Sequence, residues 1–549
     1  MVFEGLSPAA PPRRWTFQAP AEVVLLASSL FWAAACNGPF LRVALKESAP
    51  TGWGFGVALF VGLAALHFAL VAPFAHRRVL KPLLALLIVV SAFALYYIRR
   101  YGVYLDPTML RNVLRTDFHE ARELLAPALL PHLLGYAVLP LVLLWRVQVQ
   151  RLPWPRALLR RALALVAAVA LLVGAVMAVF QPLASLMRNH KELRYLITPA
   201  NVLWSLADIG LRDAKSAAGP KRAIGLDARP GARMAARSKP LVVVFVVGET
   251  ARAANWGLSG YARPTTPELA KLPVINFADV TSCGTNTETS LPCMFAPVGR
   301  RDYDESTIRG SEGLLQVLAR AGVGVRWRDN QSCCKGVCDG LPAEAVADLN
   351  PPGLCADGRC LDEGLLHGLD GWLGGVQGTQ LLVLHQLGNH GPSYFRRYPP
   401  AFERFTPACR HDDLPKCTQQ EIVNAYDNAL LYTDHVLAQL IARLDAAVDR
   451  VDSALVYVSD HGESLGENNL YLHGVPYAIA PDVQKKVPMV WWLSKGFAAA
   501  AGVDEDCLRR RAAQPATHDH LFHSLLALLD VQTTLHEAPW DLTHDCRAR

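Results

Sequence analysis

Glu249, Asp460 and His461 are the residues of this chain whose types and positions most directly suggest chemistry. Glu249 follows the valine-rich run 241–248, and Asp460 with His461 follows the mainly apolar run 454–459. Carboxylate and imidazole groups are common zinc ligands. If folding brings the three side chains together, they form most of a metal site.

A hydroxyl-rich segment, 281–290, lies between these positions in the sequence and contains Thr285, Thr287 and Thr289. A bound metal ion lowers the pKa of a coordinated hydroxyl, so a threonine at such a site could act as an alkoxide nucleophile. The pattern therefore suggests a metal-assisted transfer with a hydroxyl nucleophile. Spacing alone does not distinguish among the three threonines.

Three further side chains could stabilise a phosphoryl group, namely Lys335, His390 and His473. Phosphoryl transfer needs positive charge around the equatorial oxygens. His390 or His473 could also protonate a leaving alcohol. A single histidine is more often a structural residue, so only the combination points to phosphoryl transfer.

The apolar runs that precede these residues predict strands of a buried sheet. Continuous runs of Val and Leu are typical of strands that are covered on both faces. Polar residues follow such runs at positions 249, 329, 385 and 460. Ligand sites in open α/β sheets lie at the carboxyl ends of strands. We therefore expect an α/β catalytic domain with these positions along one edge of its sheet.

The first third of the chain predicts a membrane domain. The 549 residues are 52% hydrophobic, which is high for a wholly soluble protein, and the excess lies before residue 187. Five segments have the length and low charge of membrane-spanning helices. They are 23–41, 53–75, 82–98, 125–145 and 162–186. The formal charge of +6 is modest and does not favour nucleic-acid binding.

The arginine distribution predicts the topology of this domain. The loop 146–161 carries five arginines and no acidic residue, and the loop 76–81 carries two arginines and a lysine. The positive-inside rule places both loops and the N-terminus in the cytoplasm. Five spans then place the rest of the chain outside the inner membrane, in the periplasm of a Gram-negative cell.

The outer loop between the third and fourth spans carries a polar stripe. Asn112, Thr116 and Glu120 lie four residues apart, so they line one helical face. Such a stripe could hold a lipid head group, with Glu120 near an ammonium group. A solvated surface is the more common explanation of such a face.

The sequence predicts three regions in the chain. Residues 1–187 form the transmembrane domain together with the outer loop, 188–240 form a bridging helix and linker, and 241–549 form the catalytic domain. The linker prediction rests on the segment 216–240, which is rich in Ala, Gly, Pro, Arg and Lys.

All cysteines except Cys36 lie beyond residue 280, on the expected outer side. Close pairs in an oxidising compartment predict disulfides rather than a zinc site. The pairs are Cys283 with Cys293, Cys334 with Cys338, Cys355 with Cys360, and Cys409 with Cys417. Cys507 and Cys546 form a further candidate pair. The sequence leaves open whether Cys333 or Cys334 pairs with Cys338.

Several motifs together resemble the phosphoethanolamine transferases, especially those that modify lipid A and confer polymyxin resistance. The motifs are Val-Val-Gly-Glu-Thr-Ala-Arg at 246–252, Thr-Ser-Cys-Gly-Thr-x-Thr at 281–287, Cys-Lys-Gly-Val at 334–337, Gly-Asn-His-Gly-Pro at 388–392, and Ser-Asp-His-Gly-Glu-Ser-Leu-Gly-Glu-Asn at 459–468. The resemblance implies an alkaline-phosphatase-like, sulfatase-type catalytic domain behind five membrane helices.

The resemblance also implies roles for individual residues. The nucleophile of the family falls on Thr287, and the zinc ligands fall on Glu249, Thr287, Asp460 and His461. One zinc ion is expected, and a second is left open. The phosphate-contacting residues fall on Ser332, Lys335, His390 and His473, and the head-group residues fall on Asn112, Thr116 and Glu120. This chain departs from the family pattern at Asn286 and Glu288, which place an acid beside the nucleophile, and at the doubled Cys333-Cys334.

The implied reaction is a phosphotransfer in two steps. Thr287 takes phosphoethanolamine from phosphatidylethanolamine, and a lipid A phosphate then accepts it. The chain is expected to act as a monomer in the inner membrane. The alternatives are transfer to a core sugar, a glucan or a protein, a membrane-anchored phosphodiesterase or sulfatase-type hydrolase, and a non-catalytic lipid-binding or sensor protein.

Overall fold

The structure, a computed structural model, describes residues 17–47, 52–116, 118–216, 219–331, 334–356 and 358–547. The chain divides into two compact units. The first comprises Met1–Arg99 with Pro127–Trp204, and the second comprises Arg100–Ala126 with Ser205–Arg549.

The first unit contains the apolar helices that the hydrophobic segments predict. Within the described ranges, four helices are long and apolar enough to cross a membrane, and a bent pair is a fifth candidate. The four are Trp53–Phe74, Leu80–Tyr101, Leu129–Arg146 and Trp154–Ala178, and the pair is Ala21–Cys36 with Gly38–Glu47. The last of the four buries only Ala168, so its apolar surface is free to contact lipid.

The bend in the first span was not evident from hydrophobicity alone. The two helices of the pair meet at an angle of 58°. At the junction, the Asn37 amide donates to the carbonyl oxygens of Trp32 and Thr198, at 2.9 and 2.7 Å. Pro39 follows in the first turn of the second helix, where its missing N–H is tolerated. These contacts satisfy the backbone at the break.

After these helices, the chain forms a helix at Phe180–Asn189, a short 3-10 turn at Lys191–Leu196, and a helix at Ala200–Ser216. The predicted linker region contains a short strand, Arg229–Pro230, and a short helix, Ala232–Ala235.

The second unit is built on a seven-stranded sheet. In chain order, its strands are β1 Leu241–Gly248, β2 Ile275–Phe277, β3 Gly324–Asp329, β4 Ala343–Ala345, β5 Thr379–His385, β6 Asp452–Ser459 and β7 Met489–Leu493. Their spatial order is β2-β7-β6-β1-β5-β3-β4. Strands β6, β1, β5, β3 and β4 are parallel, and β7 and β2 add antiparallel pairs at one side.

The central strands are buried on both faces, as their unbroken apolar sequences predict. Every residue of β1 and of β6 is buried. Val243, Phe245 and Val247 point from one face of β1 into a core that also contains Leu521 and Phe522. The main helices around the sheet are Thr287–Met294, Leu314–Arg320, Leu369–Gly375, Gln419–Ala446, Lys495–Ala501, Glu505–Ala512 and Asp519–Leu528.

The outer loop groups with the second unit, whereas the sequence-based division placed it with the membrane helices. Its first helix, Pro107–Arg115, begins after Asp106, whose carboxylate accepts from the Met109 N–H at 2.8 Å. A second helix spans Phe118–Glu123, and Thr116 between the two helices is extended. The prediction that Asn112, Thr116 and Glu120 line one helical face was therefore wrong, because the helix ends before Thr116. Ion pairs explain the grouping, because Glu123 binds Arg397 at 2.7 Å and Arg100 binds Asp413 at 2.5 Å.

Candidate active site

Two neighbouring parallel strands deliver the acidic residues to one point. Strands β1 and β6 are paired in register, with Gly248 opposite Ser459, so Glu249 and Asp460 leave the sheet at the same level. The Asp460 N–H donates to the Gly248 carbonyl oxygen at 2.9 Å, which fixes this relationship. Both carboxylates are buried. The carboxyl ends of the strands therefore bring together residues far apart in the sequence.

His461 completes a cluster with these two carboxylates. One potential ligand atom from each of the three residues lies within 4.8 Å of the others. The Nε2 atom of His461 is 3.4 Å from Glu249 Oε1 and 3.3 Å from Asp460 Oδ2. The Nδ1 atom lies 2.9 Å from the Gly462 carbonyl oxygen. An Nδ1–H bond to that oxygen leaves Nε2 available to a metal ion.

Thr287 is the threonine that the fold places against this cluster. Its hydroxyl lies 3.1 Å from Glu249 Oε2 and 3.3 Å from His461 Nε2. In contrast, the Thr285 hydroxyl donates to the Val475 carbonyl oxygen at 2.7 Å. Thr287 is the first residue of the helix Thr287–Met294, and the Asn286 side chain caps that helix by accepting from the Thr289 N–H.

The charges of the cluster suit a divalent cation. Burial and the negative charge of Glu249 raise the pKa of Asp460 to about 7. Burial opposes the charged form of His461, but the charges of Asp460 and Glu249 raise its pKa to about 10. The Oδ2 atom of Asp460 is buried and makes no hydrogen bond among the described residues. A cation would relieve the repulsion between the carboxylates, take the place of the proton on His461 Nε2 and contact this oxygen, so the residues fit a zinc site.

A glycine makes room for the strand end. Gly388 follows β5 and adopts a left-handed backbone with φ of +53°. A Cβ atom there would lie 2.6 Å from the backbone oxygen of Glu249 and 3.0 Å from its backbone nitrogen. Only glycine allows the loop after β5 to approach the metal-binding end of β1 so closely.

Comparison with known proteins identifies the chain. The Sulfatase family model matches residues 242–531, and the model for Phosphoethanolamine transferase EptA/EptB matches residues 63–213. Phosphoethanolamine transferase EptA of Salmonella typhimurium is 38% identical over 532 residues, covering 95% of this chain and 96% of that protein. The chain belongs to the phosphoethanolamine transferase family.

Two further comparisons give the same result for this transferase. Phosphatidylethanolamine transferase Mcr-1 of Escherichia coli is 40% identical over 531 residues, which cover 94% of this chain and 96% of Mcr-1. The integral membrane protein lipooligosaccharide phosphoethanolamine transferase A (EptA) from Neisseria meningitidis matches with a TM-score of 0.92 and 37% identity, over 97% of this chain and all of that one. The expected family and the sulfatase-type fold behind membrane helices are therefore confirmed.

In this phosphoethanolamine transferase, the outer loop supplies a charge partner to the catalytic unit. Glu120 Oε1 lies 3.0 Å from His390 Nε2. Burial would raise the pKa of Glu120, but the charge and hydrogen bond of His390 hold that pKa at about 2. Burial would lower the pKa of His390, but Glu120 raises it above the usual value. The pair therefore favours the protonated form of His390.

The remaining predicted residues lie as follows. His473 is buried, and its Nδ1 atom is 2.8 Å from Glu463 Oε2. Lys335 is buried and has a left-handed backbone with φ of +50°. Asn112 lies on the helix Pro107–Arg115, and its carbonyl oxygen accepts a hydrogen bond from the Thr116 hydroxyl at 2.8 Å. Ser332 and Cys333 lie outside the described residues.

Sequence reasoning missed several residues that support the site. Glu463 accepts from the Tyr394 hydroxyl at 2.7 Å as well as contacting His473. Its position two residues after His461, in a quoted motif, was the available signal. The interactions of Glu288 with arginine residues were missed as well, because those partners lie far away in the sequence.

The cysteines of the second unit form five disulfides among the described residues. They are Cys283–Cys293, Cys334–Cys338, Cys355–Cys360, Cys409–Cys417 and Cys507–Cys546. The first encloses Thr287 in its loop. Cys36 is buried and unpaired within the described part of the membrane unit.

Proposed function

We propose that this transferase moves phosphoethanolamine from phosphatidylethanolamine to a phosphate of lipid A through a covalent intermediate on Thr287. The position of the Thr287 hydroxyl, 3.1 Å from Glu249 Oε2, is the observation that carries the proposal. A hydroxyl held beside buried carboxylate and imidazole groups is well placed to become a nucleophile.

Glu249, Thr287, Asp460 and His461 are the residues that would hold one zinc ion. When bound, zinc supplies positive charge that lowers the pKa of the threonine hydroxyl and offsets the charge of the transferring phosphoryl group. The Oδ2 atom of Asp460, which makes no hydrogen bond among the described residues, supports this assignment.

In the first half-reaction, Thr287 Oγ1 attacks the phosphorus of phosphatidylethanolamine. A bond forms between Oγ1 and phosphorus, and the bond between phosphorus and the glycerol oxygen breaks. Thr287 reacts as an alkoxide whose proton has passed to solvent, because the positive charge that zinc would supply lowers the pKa of the hydroxyl. The charged His390 gives a proton to the departing oxygen, so diacylglycerol leaves as an alcohol.

In the second half-reaction, a phosphate oxygen of lipid A attacks the same phosphorus, and the bond to Thr287 Oγ1 breaks. The acceptor phosphate gives its proton to His390, which is neutral after the first step. Thr287 Oγ1 leaves as the alkoxide that began the first half-reaction. Each residue is then in its starting state, and the product carries phosphoethanolamine on the acceptor phosphate.

The relatives and the membrane unit support lipid substrates. Mcr-1 is named a phosphatidylethanolamine transferase, and the Neisseria meningitidis protein is named for lipooligosaccharide. A catalytic unit joined to membrane helices searches a surface for lipids rather than a volume. The arginine-rich loop 146–161 and the disulfides support an inner-membrane protein with its catalytic unit in the periplasm.

The product would reduce the negative charge of the outer surface. An ethanolamine ammonium group offsets the charge of the phosphate to which it is attached, so cationic peptides are attracted less strongly. We therefore propose that the chain protects cells against polymyxin.

Mass spectrometry of the reaction products tests the proposal. The purified full-length chain is incubated with phosphatidylethanolamine and lipid A, with Thr287→Ala as the control. The expected result is lipid A that carries an added phosphoethanolamine group with the wild-type chain only. Release of free phosphoethanolamine, without transfer when lipid A is present, would instead show a hydrolase. Transfer to a core sugar in place of lipid A would show a different acceptor.

A further inference from the structure

Glu288, directly after the proposed nucleophile, is a buried carboxylate bound by two arginines. Its Oε1 atom accepts from Arg115 Nη1 at 2.7 Å and from Arg309 Nη2 at 2.8 Å. Arg309 also donates to the backbone oxygen of Glu288 at 2.7 Å. The carboxylate has no measurable exposure, whereas Arg115 is 43% exposed. These contacts join the helix Thr287–Met294 to two other segments of the second unit.

Arg115 is the last residue of the outer-loop helix Pro107–Arg115, which carries the predicted head-group residue Asn112 and is followed directly by Thr116. A second arginine, Arg111, lies one turn earlier on the same face of that helix. Arg111 binds Glu305, and Glu305 Oε1 also accepts from Arg309 Nε at 3.1 Å. Arg309 therefore contacts the carboxylates of both Glu288 and Glu305. The loop helix Pro107–Arg115 binds these two carboxylates through Arg115 and Arg111, which lie one turn apart.

The helix face that carries Arg111 and Arg115 lies next to the predicted head-group positions. Asn112 follows Arg111 by one residue, so it is rotated by about 100° around the helix axis. Thr116 follows Arg115 as an extended residue, and its hydroxyl donates to the Asn112 carbonyl oxygen at 2.8 Å. Any rotation or shift of the helix that separates Arg115 from Glu288 also moves Asn112 and Thr116. The arginine contacts thus determine where the head-group positions lie relative to Thr287.

Because Glu288 is buried, its carboxylate depends on the contacts with arginine. A buried carboxylate is costly unless cations and hydrogen-bond donors compensate it. The contacts to Arg115 and Arg309 both reach Oε1, whereas Oε2 is buried and makes no hydrogen bond among the described residues, so the carboxylate depends on these two arginines. One of the two is present only when the loop helix is docked. Docking of the loop and the placement of the nucleophile helix are therefore coupled.

We propose that Glu288 is a positioning residue that holds the donor head-group residues in place relative to Thr287. It contacts neither substrate nor the reacting atoms. The inference rests on the proposed function, because it assumes that phosphatidylethanolamine is the donor. The alternative role for an acid in a first helical turn is stabilisation of the helix dipole. The two roles differ in their kinetic consequences.

Steady-state kinetics of Glu288→Gln and Arg115→Gln, with phosphatidylethanolamine in mixed micelles, separate the two roles. We expect each variant to raise the KM for the donor about tenfold, equivalent to about 1.4 kcal/mol. The kcat and the KM for lipid A should stay close to the wild-type values. The double variant should be no worse than Glu288→Gln alone, because that substitution already removes the ion pair with Arg115. Glu288→Asp should recover part of the donor affinity.

Asp370→Asn is the matched control, because it removes a carboxylate from an exposed ion pair with Arg443. Additive effects of Glu288→Gln and Arg115→Gln on the KM for the donor would overturn the proposal. An unchanged donor KM with a lower kcat and a lower melting temperature would also overturn it and show a helix-stabilising role. Arg115→Gln keeps the test valid if Glu288→Gln fails to fold, since Arg115 lies at the surface. Absence of transfer by the wild-type chain would refute the proposed function itself, independently of these variants.

Discussion

The Thr287 hydroxyl lies 3.2 and 3.1 Å from the two carboxylate oxygens of Glu249, although 38 positions separate these residues in the chain. The contact exists because β1 ends directly before Glu249 and the helix Thr287–Met294 begins beside that strand end. A strand end and a helix start thus bring a carboxylate and a hydroxyl together. The proposed chemistry depends on this pair.

Replacement of Thr287 tests whether its hydroxyl forms the covalent intermediate. We expect Thr287→Ala to lower kcat at least about 10³-fold, because residues that act as a nucleophilic unit contribute most of the rate. Thr287→Ser keeps the hydroxyl and should retain part of the activity. Intact-protein mass spectrometry without acceptor should show the phosphoethanolamine adduct on the wild-type and serine chains only. An adduct on the alanine variant would place the nucleophile elsewhere.

The sheet and its ligand-bearing edge were predictable because burial leaves a clear pattern. The run 241–247 has no polar residue, and the structure forms β1 over Leu241–Gly248. The polar residues after β1 and β6 then had to lie at one edge, since parallel strands share their direction. The strands and the edge at which their polar residues meet thus follow from local sequence patterns.

The choice of nucleophile was not predictable from spacing, because it depends on long-range contacts. Thr285 and Thr287 have the same chemistry, and only the fold directs Thr285 to the Val475 carbonyl oxygen. The same limit applies to Glu288, whose partner Arg115 lies 173 positions away. Charged pairs at such separations leave no periodic signal in the sequence.

Removal of a ligand tests the metal site. We expect Glu249→Ala to lose the bound zinc and the activity, because a buried four-ligand site that lacks one carboxylate binds the ion far more weakly. Metal analysis of purified protein measures the zinc content of each chain. Glu403→Ala is the control, since Glu403 forms a surface ion pair with Arg410. Chelation of the wild-type chain should also abolish activity, and added zinc should restore it. Full zinc content in Glu249→Ala would contradict the assignment.

The close approach of Gly388 to Glu249 predicts that a substitution of this glycine impairs the site, although it changes no charged group. In Gly388→Ala, the new methyl group would lie 2.6 Å from the Glu249 backbone oxygen, so the strand end or the loop has to move. The positive φ adds strain of about 1 kcal/mol or more. We expect reduced zinc content and at least about a tenfold loss of activity, since an error of about 1 Å in a site can cost 10²-fold.

Gly371→Ala serves as the control for this prediction. Gly371 lies in the helix Leu369–Gly375, and no heavy atom lies within 4 Å of the position that its Cβ would occupy. This variant should be at least as stable as the wild type, because alanine favours helix. Equal zinc content and activity in both alanine variants would show that the site tolerates displacement of the loop after β5.

The ion pair between Glu120 and His390 predicts a specific change in the pH profile. Glu120 raises the pKa of His390 above its ordinary value of 6.5, so the pair is fully formed below that pH and is lost as the pH rises through the raised value. On the acid side, the pKa of Glu120 is lowered from 4.5 to about 2, so the pair persists above pH 4.5 and is lost as the pH falls toward 2.

In Glu120→Gln, His390 should lose its proton at lower pH, and the alkaline limb of kcat at saturating donor should shift toward acid. The loss of activity should therefore be larger at about pH 8 than at about pH 6. Glu403→Gln should leave the profile unchanged, and a Glu120→Gln profile parallel to that of the wild type would show that His390 does not supply the proton.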